Sequence, residues 1–139
     1  MLKSAKIFFV SLILILSVNA CSNKKEDISI TTLTVSALMN EYKSNEVLAD
    51  QQYKGKCVTV IGVIQSINSE FLGGPTINLV DKDAGSLMFN TVDCEFNKED
   101  KDSLLSVKVG DHVKIKGIVK GKFLGSISMD NCQFDLSPQ

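Results

Sequence analysis

The chain has 139 residues, with 15 lysines against 16 aspartates and glutamates, and contains neither arginine nor tryptophan. That length is one domain's worth. A formal charge of −1 leaves no cationic surplus for a phosphate backbone, and without arginine the planar fork that pairs with guanine is missing.

The chain opens Met-Leu-Lys-Ser-Ala-Lys and continues apolar from Ile7 to Val18, broken only by Ser11. Twelve helical residues rise about 18 Å, well short of a hydrocarbon core of roughly 30 Å. A basic start, a short apolar core and a small residue before a cut site are the parts of a secretory signal. Ala20 is followed by Cys21, so "VNAC" reads as a lipobox in which Cys21 is acylated and becomes the mature N-terminus. Residues 1–20 are then a lipoprotein signal peptide, 21–33 a polar tether and 34–139 the folded domain. The expected location is the bacterial envelope, lipid-anchored to the outer membrane on its periplasmic or surface face. "KKED" (Lys24–Asp27) resembles a surface-export signal and equally suits a solvated tether. The mature chain keeps 13 of the 15 lysines and all 16 acids, a formal charge of about −3.

In chain order, Ser36 stands before "ALMNEYKSN", whose Ala37, Leu38, Met39 and Tyr42 share a helical face, and its hydroxyl suits an N-cap. "NEVLADQQY" continues as a second short turn. From Lys54 the period changes from 3.6 to 2. Strands are predicted over Cys57–Ile67, Pro75–Asp81, Ser86–Phe96, His112–Gly121 and Gly125–Phe134. Between the third and fourth, Asn97 and the acids after it predict a short helix. "GKCVTVIGVI" and "GDHVKIKGIV" share one pattern, with Gly62 and Gly117 at the same offset. A mid-strand glycine often marks a bend where a sheet curls into a barrel. The expected fold is mainly β: a five-stranded OB-fold-like barrel with an N-terminal helix and a short helix between strands three and four. A ubiquitin-like or open sandwich is the competing arrangement.

"LMNEYKSNEVLADQQYKGKCVTVIGVI", "VDCEF" and the late "MDNC" resemble the tRNA-anticodon-like OB-fold family of small bacterial envelope proteins, over roughly Thr34–Phe134. The resemblance implies a fold related to anticodon-binding domains and supplies no ligand or catalytic residue. Cys57 stands where such proteins usually have an aliphatic residue.

Catalytic patterns are missing. "DKDAGS" begins like a calcium loop, but Gly85 replaces the third ligand and Val92 the twelfth. His112 beside Asp111 reads as a turn residue, and Glu99, Asp100 and Asp102 as acids favoured at a helix start. There is no G-x-S-x-G, no phosphate-binding glycine loop and no H-E-x-x-H. The expectation is therefore no enzyme, no cofactor and no metal. A binding module for an oligosaccharide, peptide or protein is the first functional reading. An accessory docking on another envelope protein is the second and a nucleic-acid-binding OB domain the third, although nucleic acid is not the expected partner. The candidate ligand face is Phe71, Phe89 and Phe123 with the strand-four lysines Lys114, Lys116 and Lys122. The rings serve equally as plugs of the barrel ends, and the lysines as a solvated face. Among the thiols, alternation and a bulge at Asp130–Asn131 bring Cys94 toward Cys132, so these two form the candidate disulfide and Cys57 is the free thiol.

Overall fold

The computed structural model describes residues 31–69, 73–82 and 90–137. The elements are β1 (Thr31–Thr34), α1 (Val35–Ser44), α2 (Glu46–Tyr53), β2 (Cys57–Asn68), β3 (Thr76–Val80), β4 (Val92–Phe96), a 3-10 helix (Lys98–Ser106), β5 (His112–Phe123) and β6 (Ser126–Phe134). The strand order is β1-β2-β3-β4-β6-β5, and β2 also pairs with β5, which closes β2 to β6 into a barrel. Closure decides for the OB-fold over the open arrangements.

Each element follows from local chemistry. Thr34 caps α1 by accepting from the Ala37 N–H at 3.1 Å. Ser36, expected as the cap, instead bonds Asp81 through both its backbone N–H and its hydroxyl. Val35, Leu38, Met39 and Tyr42 form the buried face of α1. The Asn45 side chain accepts from the Leu48 N–H at 3.1 Å and starts α2, and the buried Tyr42 donates to Asp50 at 3.0 Å, fastening α1 to α2. Burial and the bond to a carboxylate both push the Tyr42 phenol up from its usual value. The tether boundary is corrected: residues 31–34 are a strand, parallel to β2. That strand escapes detection because a four-residue edge strand carries no periodic pattern. Asn97 stands before the 3-10 helix without capping its backbone; its amide goes to the Asp100 carboxylate at 3.4 Å. Of the predicted third strand, Val92–Phe96 is strand, and residues 83–89 lie outside the described residues.

The repeated glycines stand where β2 changes partners. Cys57 to Val63 pair with β5, and Val63 to Asn68 pair with β3. Gly62 sits at that switch, where a Cβ would come within 2.8 Å of Val35 Cγ2 and 3.0 Å of the Val80 carbonyl oxygen. At Gly117 a Cβ would lie 2.7 Å from Cys132 Sγ and 3.0 Å from the Asp130 carbonyl oxygen. The expected bulge is present: Asn131 has φ 49°, and the β5–β6 register slips between Lys116 and Ile118.

The cysteines differ from expectation. Cys94 and Cys132 are fully buried free thiols. A register shift between Cys94 and Phe96 sets Cys132 opposite Phe96 and Met129 opposite Cys94. The two thiols are therefore diagonal neighbours rather than a facing pair. They meet as a hydrogen bond, which together with burial pushes the Cys132 thiol well above its usual range. Thiolate, the reactive form, is thus suppressed at this position.

Gly117→Ala should lower stability by about 1–3 kcal/mol, because the contacts it meets include backbone as well as sulfur; a urea midpoint unchanged from wild type would refute that. Native protein in mildly alkaline iodoacetamide should leave Cys94 and Cys132 unmodified, with both alkylated after unfolding. Rapid native alkylation at either position would show that the thiol pocket opens.

Candidate ligand face

The outer surface of β3 and β4 is built by the alternation that fills the barrel. Ile77 and Leu79 of β3 and Val92, Cys94 and Phe96 of β4 are buried. Their neighbours Thr76, Asn78, Asp93 and Glu95 therefore face outward. The register sets Asn78 beside Asp93, Asp93 beside Ser128, and Thr76 beside Glu95.

These side chains are wired together. Asp93 Oδ1 accepts from Asn78 at 2.8 Å and from the Thr91 hydroxyl at 2.9 Å. Thr91 also contacts the Ser126 hydroxyl at 2.7 Å, and Asn68 donates to the Asn78 side-chain oxygen at 3.3 Å. The resulting chain runs from β6 across β4 and β3 to the end of β2. Glu95 accepts from the Gly74 N–H at 3.4 Å. Gly74 is buried, and a Cβ there would lie 1.6 Å from the Phe96 carbonyl oxygen. The loop before β3 is thus seated against β4. Gly73, Thr76, Asp93, Glu95 and Ser128 line a hollow of about 260 Å³.

Two carboxylates, two hydroxyls and no cation line that hollow. Such a surface attracts ammonium, guanidinium and hydroxyl donors, and repels phosphate.

A larger hollow of about 600 Å³ lies between the 3-10 helix and the β5–β6 edge, with Phe96, Val107, Val113 and Phe134 among its apolar lining and His112, Asp100 and Asp135 among its polar lining. Among the described residues, His112 makes no side-chain hydrogen bond. Asp135 accepts from the Ser137 N–H at 3.0 Å and from Thr59 at 3.3 Å, which holds its carboxyl below the usual value. Asp135 is thus engaged away from His112, and among the described residues no hydrogen bond joins the two.

Of the predicted ligand face, the described residues include the three lysines and Phe123. Lys114, Lys116 and Lys122 lie along β5, whose barrel partners are β2 and β6. Lys122 pairs with Glu46 at 3.7 Å, and Lys114 donates to the Ser137 carbonyl at 3.2 Å. Phe123 is exposed at the β5–β6 turn. Phe71, Phe89 and Cys21 lie outside the described residues. Asn78, Asp93 and Glu95 went unnoticed although the signal was present: the alternation that turns Val92, Cys94 and Phe96 inward turns Asp93 and Glu95 outward. Among the described residues no group of His, Cys, Asp and Glu is disposed to hold a metal ion, and no helix is long and apolar enough to cross a membrane.

Known proteins place this geometry. A lipoprotein of Klebsiella pneumoniae, named "putative nucleic acid-binding lipoprotein", is similar in structure with a TM-score of 0.63 and 20% identity, covering 77% of this chain and 92% of that one. A replication factor A-related protein of Methanobacterium thermoautotrophicum matches with a TM-score of 0.43 and 16% identity, over 60% of this chain and 84% of that one. An OBody bound to hen egg-white lysozyme matches with a TM-score of 0.43 and 18% identity, over 60% of this chain and 99% of that one. No curated protein matches. The tRNA_anti-like family model matches residues 1–133, nearly the whole chain, and with the closed barrel this makes the chain a member of the tRNA_anti-like family of OB-fold domains.

Proposed function

We propose that this protein is a non-catalytic lipoprotein of the bacterial envelope, acylated at Cys21, whose barrel binds a basic segment of another envelope protein on the outer face of β3 and β4. The carrying observation is the hydrogen-bonded row Asn68–Asn78–Asp93–Thr91–Ser126 with Glu95 beside it. OB-folds commonly bind oligomeric ligands on this face. Here the face offers fixed acceptors, and one oxygen of Asp93 is already aimed by two donors. Lysine or arginine side chains are the complement such carboxylates select.

The name of the Klebsiella lipoprotein raises nucleic acid as a second ligand. The charge layout argues against it. Lys54, Lys120 and Lys122 are paired with Asp50, Asp130 and Glu46 at 3.5, 3.1 and 3.7 Å, and the hollow itself is acidic. Phosphate contacts supply most of the affinity in such complexes, and among the described residues the hollow on this face is lined by no cation to make them.

Labelled lysine-rich peptides, glutamate-rich peptides, neutral glycans and mixed-sequence single-stranded DNA and RNA, compared by fluorescence anisotropy across a salt series, test the ligand class. Lysine-rich peptides should bind best. The double variant Asp93→Asn/Glu95→Gln should lose about tenfold, taking roughly 0.5–1 kcal/mol for each exposed carboxylate contact. Preference for glycan, or nucleic-acid binding that weakens steeply with salt, would overturn the assignment.

Cys21→Ala should abolish acyl labelling and release the protein from membranes. One sulfur cannot carry both a lipid thioether and a disulfide. Mass mapping of non-reduced peptides from the mature protein is therefore a second check, and a peptide joining Cys21 to Cys57 would refute the acylation.

A further inference from the structure

Folding alone does not account for the tip of the β5–β6 hairpin. Its two turn residues, Leu124 and Gly125, have φ of 48° and 89°, the sign pattern of a type I′ turn. Asn-Gly or Asp-Gly is the usual choice there, because an ordinary L-residue is strained at positive φ. Leu124 is 84% exposed and Phe123 70% exposed. An asparagine at 124 would relieve the strain and the exposure together. Apolar surface kept at a strained turn points to a contact made outside the chain.

The register shows which way the tip points. Thr31 pairs with Val58, Val58 with Gly117 and Cys57 with Ile118. The first described residue therefore enters at the same barrel end as the closing half of β5. Phe123 lies five residues beyond Ile118, so the tip reaches at most about 17 Å past that level. Ten residue steps separate Thr31 from Cys21, a span of up to about 35 Å when extended. A chain anchored at Cys21 has enough reach for the tip to meet the surface that holds the anchor.

We propose that Phe123 and Leu124 insert into the interfacial layer of the lipid bilayer, so that the barrel stands on its β5–β6 hairpin. This rests on the acylation at Cys21 proposed above. Val47, which follows the Lys122 partner Glu46 at the start of α2, is also exposed, at 81%. Around the tip Lys54, Lys120 and Lys122 each face a carboxylate, and the exposed Lys56, bonded through its carbonyl to Val119, is too little charge by itself for a cationic patch. Insertion is therefore apolar and independent of anionic lipid. Two side chains hold a free protein on a membrane weakly. With a lipid chain already confining the domain, the hairpin adds only a local step at high effective concentration.

The chain contains no tryptophan, so Phe123→Trp provides a sole indole reporter. The test uses full-length acylated protein in phosphatidylcholine vesicles with and without brominated acyl chains. The Phe123→Trp emission should shift to the blue and be quenched by bromine. It should remain so when phosphatidylglycerol is added. Leu136→Trp reports from the opposite end of the barrel, where Asp135 bonds the Lys114 carbonyl, and should be neither shifted nor quenched. Circular dichroism checks that both variants fold. In the wild-type protein, amides of residues 122–126 should exchange more slowly on vesicles than in unacylated Cys21→Ala in solution. Protein that floats with vesicles while its Phe123→Trp emission stays water-like and unquenched would refute docking and leave the anchor intact. Protein that does not float would refute the anchor and the docking with it. A blue shift without bromine quenching would assign the tip to a second copy or another protein, and overturn the membrane assignment.

Discussion

The fold depends on one strand serving two partners. β2 gives its first seven residues to β5 and its last six to β3, sharing Val63. A strand that turns from one neighbour to another must coil sharply, and the side chain at the inside of the turn has no space. Gly62 occupies that place beneath Val35 of α1, and Gly117 answers it on β5 beneath Cys132. Closing the barrel this way leaves β1 as a short edge on β2 and buries the other ladders. It also sets how near α1 can approach. Both glycines take ordinary negative φ, so what they supply is volume.

Closure also divides the surface by chemistry. The outer face of β3 and β4 collects acceptors, because each strand spends its apolar residues inward and has amide, hydroxyl and carboxylate groups left. Those groups are not independently solvated. Asp93 takes two hydrogen bonds on one oxygen, which fixes its orientation before any ligand arrives and lowers the entropy a ligand must overcome. The β5 lysines, which look from the sequence like a binding stripe, lie on another side of the barrel. Where they have carboxylate neighbours they are paired with them. A stripe of like charge along one strand describes only that strand; the neighbours supplied by topology decide whether it acts as a patch.

Much of this was legible in the chain. Alternation placed β2, β3, β5 and β6 to within a few residues, and the repeated glycine offset located the bend and hence the barrel. What alternation cannot carry is register. Cys94 and Cys132 were brought to the same region by the inward pattern, but one bulge makes them diagonal neighbours, so they are hydrogen-bonded thiols. β1 was missed for a related reason: four residues of Thr and Leu become a strand only because β2 offers them a free edge. The helix cap moved by two residues because Asp81, distant in sequence, takes Ser36 away from the backbone. Each departure is a long-range partner outcompeting a local rule.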